Sequence, residues 1–168
     1  MDIRDFSTDD AAAVRELFIR VNRLLAPADS KDAFESYIAR SLTEEIDRVC
    51  EYYSERNGGF WVAVEGESIV GMFGLEPSGE AAMELRRMYI DPDFRRRGMA
   101  RKMLDFAEQQ CRRRRRPRMN LSTSELQREA LALYRNAGYA LVREEVAEAA
   151  SHKTLGGGIR RYHFTKAL

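Results

Sequence analysis

The residue types best suited to chemistry lie between positions 84 and 139 of this 168-residue chain. A turn with the pattern Arg95-x-x-Gly98-x-Ala100 opens a long amphipathic segment, and further basic side chains surround it. The start of a helix offers free backbone N–H groups and a positive dipole end, and both attract phosphate. Glycine also lets a ligand approach the backbone, because it has no Cβ. The turn therefore predicts a site for a phosphate-bearing ligand, and a solvated basic helix start is the alternative.

A second pattern follows on the next segment with helical periodicity. It reads Gln127-x-x-Ala130-x-x-Leu133-Tyr134-x-x-x-Gly138-Tyr139. A phenol is protonated at neutral pH and can give a proton to a departing group, so Tyr134 is a candidate general acid. The alternative for Tyr134 is packing on its helix with the hydroxyl at the surface. Tyr139 begins a predicted strand, and we expect it to pack in the core.

The two patterns, in this order and on these elements, resemble the GNAT superfamily of acyl-CoA-dependent N-acetyltransferases. The resemblance implies acetyl-CoA as cosubstrate and no metal. It implies that the diphosphate binds in the glycine turn, that the pantetheine arm follows the preceding strand, and that Tyr134 points at the CoA sulfur. The residues implied to contact the cosubstrate are Met88, Tyr89, Ile90, Arg95, Arg96, Arg97, Gly98, Met99, Ala100, Arg101, Gln127 and Tyr134.

An amine must lose a proton before it attacks a thioester, and Glu84 is the nearest carboxylate that could accept it. Strand alternation puts Glu84 and Met88 on one face unless a bulge intervenes. Water chains replace the carboxylate in some members of the family, and Glu84 could instead pair with Arg86 or another cation. Gln127 also has two interpretations, either contact with CoA or a capping box with Ser124.

The resemblance implies direct acetyl transfer, in a ternary complex, to the amine of an unidentified small molecule or peptide. In the family, the acceptor is shaped by regions that correspond here to residues 22–53 and 147–161. Neither cysteine has a neighbour that would activate a thiolate, so an acyl-enzyme step is not expected. A non-catalytic module that binds acyl-CoA or a protein partner is the alternative function.

The elements that must position these residues follow from periodicity and turn signals. They alternate in the order β-α-α-β-β-β-α-β-α-β-β, and the second helical region, residues 31–55, is expected to break near residues 41–43. The order predicts a single α/β domain over residues 1–168. The resemblance implies a mixed, mostly antiparallel sheet flanked by about four helices.

Composition limits the partners. No apolar run approaches the roughly 20 residues that span a bilayer, and the N-terminal residues lack the apolar core of a signal peptide, so a cytoplasmic location is expected. Cys50 and Cys111 have no metal-ligand spacing. The net charge is +1, and the arginine run 112–116 is better explained as a solvated helix end than as a nucleic-acid site. The last strands could pair with a second copy, so a homodimer stays open.

Overall fold

A computed structural model describes residues 1–168 as one mixed sheet with helices against both faces. The strands are β1 (Asp2–Asp5), β2 (Gly59–Glu65), β3 (Ser68–Ser78), β4 (Ala82–Ile90), β5 (Arg118–Ser124), β6 (Ala140–Ala147) and β7 (Ile159–Ala167). The helices are α1 (Ala11–Leu25), α2 (Lys31–Glu44), α3 (Val49–Glu55), α4 (Met99–Arg113) and α5 (Arg128–Asn136). The predicted second helical region is α2 and α3, and it breaks at Glu45 rather than at residues 41–43.

The seven strands lie in the order β1-β2-β3-β4-β5-β7-β6. Only β4 and β5 run parallel, and every other neighbouring pair is antiparallel. The α/β class and the mixed, mostly antiparallel sheet are therefore confirmed. None of the helices combines the length and the apolar composition needed to cross a bilayer.

Strand alternation builds a core on each face of the sheet. Along β2, Trp61 and Ala63 belong to the core beneath α4 and α5, whereas Phe60 and Val62 belong to the core beneath α1, α2 and α3. Strands β2 and β3 are covered on both sides, which explains why they contain successive apolar residues instead of an alternation of apolar and polar ones. The helices on either side are thereby fixed relative to the strand ends.

A β-bulge in β4 reverses this alternation. Arg87 has a φ of 54°, and the pairing of β3 with β4 shifts register between Met72 and Gly74. As a result Arg86 and Arg87 both point toward the α1–α3 side, while Met88 packs against the opposite core. Glu84 and Met88 therefore lie on opposite faces, which is the exception that the sequence analysis named, because the extra residue of a bulge changes the parity of every position after it.

The parallel pair β4 and β5 separates partway along its length. Their pairing ends at Leu85 and Leu121, although β4 continues to Ile90 and β5 to Ser124. Beyond this point the backbone groups of β4 that face β5 have no strand partner. Since buried amide groups need hydrogen-bond partners, the open wedge can receive a ligand that has amides of its own.

Gly98 lies immediately before α4, at its N-cap position, in a backbone conformation that favours glycine. Its φ is +73°, and a Cβ at this position would meet no atom within 4 Å. Glycine is thus required by the left-handed backbone rather than by crowding from the protein itself. The open space above Gly98 stays available to a ligand.

The arginine run does not form one flat patch. Helix α4 ends at Arg113, and the chain then turns, with Arg115 at a φ of 56°. Arg114 donates to the carbonyl oxygens of Asn57 and Gly58, and Arg116 donates to those of two residues in the β3–β4 turn, Gly79 and Glu80. These two arginines therefore fasten neighbouring loops, which the prediction of a merely solvated helix end did not include.

Candidate active site

A cleft of about 470 Å³ lies between the separated end of β4, the start of α4 and helix α5. Most of the residues predicted to contact the cosubstrate line this cleft. Arg97 does not, because its guanidinium lies over the ring of Phe94 and near Glu65. The predicted residues in the walls are Met88, Tyr89, Ile90, Arg95, Arg96, Gly98, Met99, Ala100, Arg101, Gln127 and Tyr134.

The donors at one end of the cleft suit a diphosphate. The first backbone hydrogen bond into α4 runs from Lys102 N–H to the Gly98 carbonyl, so the preceding N–H groups have no partner inside the helix. Arg95 and Arg96 border the same end, and neither forms an ion pair with a carboxylate. Arg101 is held by Asp105 at 2.9 Å. This end of the cleft therefore combines free N–H donors with uncompensated positive charge.

Tyr134 stands at the other end of the cleft. It is 6% exposed, and its ring packs near those of Tyr139 and Phe164. Burial, and then the neighbouring Tyr89, raise the pKa of the Tyr134 phenol above its usual value, so the group stays protonated across the neutral range. The interpretation of Tyr134 as a surface residue does not agree with this burial. Tyr139 packs in the core as expected, and its hydroxyl donates to Glu108 at 3.0 Å.

A second cavity, of about 90 Å³, opens from the cleft beside Tyr134. Its walls are mainly polar, and Glu84 is among them. The Glu84 side chain is 27% exposed and lies 3.5 Å from the ammonium of Lys153. It does not pair with Arg86, which instead contacts Glu45 at 2.8 Å. Glu84 therefore faces the cavity in contact with a cation that comes from the β6–β7 loop.

Glu45, which the sequence prediction missed, is the centre of a buried charge cluster. It has no exposed surface and accepts hydrogen bonds from Arg86 at 2.8 Å, Arg87 at 2.6 Å and the Tyr53 hydroxyl at 2.7 Å. Burial acts to raise the pKa of Glu45, but the charges of Arg87 and Arg86 outweigh it and lower the pKa to about 2. The cluster fixes both arginines at the wall of the second cavity.

A signal for Glu45 was present in the sequence. It follows Ser41 by four residues and comes directly after α2, in line with the buried side on which Ile38 and Leu42 lie. A glutamate in the apolar stripe of a helix needs a partner that removes the cost of burying its charge. The bulge that turns both Arg86 and Arg87 toward Glu45 has no comparable signal in the sequence.

A second polar chain connects the cavity to the β6–β7 loop. Glu76 is buried and accepts hydrogen bonds from Lys153 at 2.7 Å and from the Tyr52 hydroxyl at 3.0 Å. The neighbouring His152 is held through its carbonyl oxygen by Arg87 and through its ring by Glu44 at 2.9 Å. Burial, and then Arg86, lower the pKa of His152, so its ring is neutral at pH 7. These contacts set the position of Lys153.

Gln127 lies immediately before α5 and not in its first turn. The helix begins at Arg128, and the Gln127 side chain accepts a hydrogen bond from Thr123 at 2.7 Å. The capping box with Ser124 is therefore wrong, because a helix capped by Ser124 would begin at Glu125, three residues earlier than α5 does. The Gln127 side chain borders both the cleft and the second cavity.

Comparison with known proteins identifies the class to which this fold and site belong. Residues 26–139 match the family model described as the acetyltransferase (GNAT) family. That match covers more than half of the chain, and the chain belongs to this family. The resemblance found in the sequence is thereby confirmed.

Individual relatives agree with the family. N-acetyltransferase 8 from Homo sapiens is 31% identical over 116 residues, which are 66% of this chain and 51% of that protein. The uncharacterized N-acetyltransferase YjgM from Escherichia coli (strain K12) is 32% identical over 97 residues, or 56% of this chain and 58% of that protein. The chain spans about half the length of the curated relatives it matches.

Solved structures share the fold along the whole chain. The PaiA N-acetyltransferase from Thermoplasma acidophilum, solved in complex with coenzyme A, superposes with a TM-score of 0.76 over 99% of this chain and 98% of its own, at 16% identity. A GNAT acetyltransferase from Staphylococcus aureus Mu50 gives a TM-score of 0.75 over 99% and 98%, at 17% identity. At such identities the likeness concerns the fold alone.

Proposed function

We propose that this chain transfers an acetyl group from acetyl-CoA to the amine of a small molecule or peptide, by direct attack within a ternary complex. One observation carries the proposal. A single cleft runs from the free N–H groups of α4 to the buried phenol of Tyr134, and there it meets a polar cavity that contains Glu84.

The cleft supports a CoA-type ligand along its length. The N–H groups after Gly98, with Arg95 and Arg96, match the charge and donors that a diphosphate requires. The unpaired edge of β4 at Met88 and Ile90 can pair with the amides of a pantetheine arm. Gln127 adds a side-chain amide to the same wall.

Acetyl-CoA would supply a thioester carbonyl, and the residues of this chain have three tasks around it. The Glu84 carboxylate accepts a proton from the incoming ammonium, directly or through water. Backbone N–H groups near Met88 and Tyr89 donate to the carbonyl oxygen as negative charge develops there. Tyr134, held in its protonated form, donates its phenolic proton to the departing sulfur.

A thermal-shift measurement with a pair of glycine variants tests the cosubstrate site. Acetyl-CoA at 100 times its Kd should raise Tm by about 5–10 °C, because it binds the native state only. Gly98→Glu should abolish this shift, since it adds bulk and negative charge at the diphosphate end. Gly66→Glu is the matched control, because Gly66 has a similar φ of +63° and open surroundings but lies in the β2–β3 turn.

An unchanged acetyl-CoA shift in Gly98→Glu would contradict this location of the cosubstrate. The alternative, a module that binds acyl-CoA without catalysis, gains if acetyl-CoA binds, no amine in a broad panel is acetylated at any pH, and Tyr134→Phe has no effect. The single domain over residues 1–168, the cytoplasmic location and the homodimer stay predictions.

A further inference from the structure

The polar cavity beside Tyr134 contains one cation that the protein itself does not neutralise. Arg86, Arg87 and Lys153 are balanced by three carboxylates that contact them, those of Glu45, Glu76 and Glu84. Arg161 on β7 has no carboxylate within 4.0 Å, and its only side-chain hydrogen bond is to the Ser122 hydroxyl at 2.9 Å. A guanidinium has five N–H donors in a fixed fork, so most of the Arg161 donors have no partner within the protein.

Glu145, across the strand pair, is close enough to interact with the charge of Arg161 but forms no ion pair with it. Glu145 lies opposite Arg161 in the β6–β7 register, but its carboxylate contacts His163 at 2.7 Å. Arg160, the preceding residue, points to the other side of the sheet and pairs there with Glu144 at 3.2 Å. Arg160 therefore forms an ion pair, whereas Arg161, which lines the polar cavity, forms none.

Arg161 also stands where the polar cavity meets an apolar one. A third cavity, of about 40 Å³, shares Arg161 and Tyr37 with the polar cavity. Its other walls include apolar side chains from α1, α2, the turn before α5, the β6–β7 loop and the start of β7, namely Leu25, Phe34, Leu126, Leu155 and Ile159. An acceptor bound here would therefore contact the Arg161 guanidinium, with the polar cavity on one side of it and the apolar cavity on the other.

Glu84 and the serine that binds Arg161 lie near each other on neighbouring strands. Glu84 pairs with Asn120 across β4 and β5, and Ser122, which binds the Arg161 guanidinium, lies two residues further along β5. With about 3.3 Å per residue and 4.8 Å between strands, the Cα atoms of Glu84 and Ser122 are about 8 Å apart. An ammonium and a carboxylate on one carbon form a head group small enough to lie between two such residues that line one cavity.

The cavity sizes agree with that head group. One buried water takes up about 10–15 Å³ of such space, so the polar cavity has room for about six to nine non-hydrogen atoms and the apolar one for about three. The main chain of a free amino acid has five such atoms, and the side chain of leucine or methionine has four.

We infer that the acceptor is a free α-amino acid with an aliphatic side chain of about four non-hydrogen atoms. Arg161 binds its carboxylate, Glu84 faces its amine, and the chamber around Phe34 and Leu155 receives its side chain. The inference rests on the proposed acetyl transfer and specifies its substrate class. A peptide would be a poor acceptor, because its first residue has no free carboxylate to meet Arg161.

The test compares L-leucine with close relatives that each lack one feature. Leucinamide lacks the anionic charge, isoamylamine lacks the carboxylate altogether, glycine lacks the side chain, and O-phosphoethanolamine has a different anion. CoA release with each amine gives kcat/KM. L-leucine should exceed leucinamide and isoamylamine by at least about tenfold, which is the size of one hydrogen bond to a charged group. The amine of leucinamide is less basic than that of leucine, so more of it is in the neutral, nucleophilic form at a given pH. A preference for leucine must therefore come from the leucine carboxylate.

A pair of arginine variants then assigns the preference to Arg161. In Arg161→Gln the ratio of kcat/KM for L-leucine to that for isoamylamine should fall by at least about tenfold, mainly through KM. Arg160→Gln, the matched control, should leave the ratio unchanged. Isoamylamine or leucinamide used as well as L-leucine, O-phosphoethanolamine used better, or an unchanged ratio in Arg161→Gln would overturn the inference.

Failure of the substrate class can be distinguished from failure of the proposed function. If acetyl-CoA shifts Tm and other amines are acetylated, but none of the amino acids is, the acetyl transfer stands and the amino-acid inference is overturned. If acetyl-CoA produces no Tm shift in the unmodified chain, the proposed function itself fails.

Discussion

Replacing Glu45 with glutamine should destabilise the fold more than the same replacement of any other carboxylate side chain near the site. The substitution keeps the shape of the side chain but leaves Arg86 and Arg87 buried without a counter-charge. Removing one partner of a buried ion pair typically costs about 3–5 kcal/mol. The pKa of Glu45 gives a second estimate of this change in the free energy of unfolding. Folding lowers the pKa of this carboxyl from 4.5 to about 2, which corresponds to about 3 kcal/mol of stability at neutral pH.

The same shift predicts how the effect depends on pH. The folded pKa of Glu45 lies below its unfolded value, so its stabilisation is complete above about pH 4.5 and is lost as the pH falls toward 2. Its contribution should be about 3 kcal/mol at pH 7 and about 2 kcal/mol at pH 3.5. Arg86 and Arg87 do not titrate in this range, because Glu45 helps to hold their pKa values above the usual one.

Urea unfolding at pH 7 and at pH 3.5 measures both quantities from the midpoint and slope. Glu35→Gln is the matched control, because Glu35 forms an exposed pair with Arg23 and its loss should leave the midpoint nearly unchanged. A free-energy difference below about 1 kcal/mol for Glu45→Gln at pH 7 would refute the reasoning, since it lies well under the cost of an unpaired buried charge. A difference that is the same at both pH values would show that the charge of Glu45 is not its source.

Three further outcomes are expected. Tyr134→Phe should lower kcat for CoA release about 10²-fold and leave the acetyl-CoA Tm shift intact, because the phenol is proposed to act on the leaving group; an unchanged kcat would argue against that role. Glu84→Gln should lower kcat/KM at pH 7 by about 10-fold or more, with recovery as the pH approaches the pKa of the acceptor amine; a pH-independent loss would contradict a base. In the native protein a disulfide reagent should label the exposed Cys50 but not Cys111, since burial raises the pKa of the Cys111 thiol to about 12; equal labelling before unfolding would contradict its burial.

The cleft proposed for the cosubstrate could be predicted largely from the sequence. Gly98 and the basic residues around it form a contiguous turn, and Tyr134 lies at a fixed spacing within one helix. Patterns of this kind are local, because backbone dihedral angles and helical periodicity are set by neighbouring residues. The strand and helix order followed from the same local signals, apart from the exact break at Glu45.

The acceptor side was decided by tertiary structure. Glu45, Arg86 and Lys153 come from three separate elements, and their partners are determined by which charges are buried together. A single bulge at Arg87 changed the face on which every later residue of β4 lies. The sequence by itself determined the turn and the helix proposed to bind the cosubstrate. The charges around the proposed amine site depended on long-range packing, because desolvated ion pairs have no signature in local spacing.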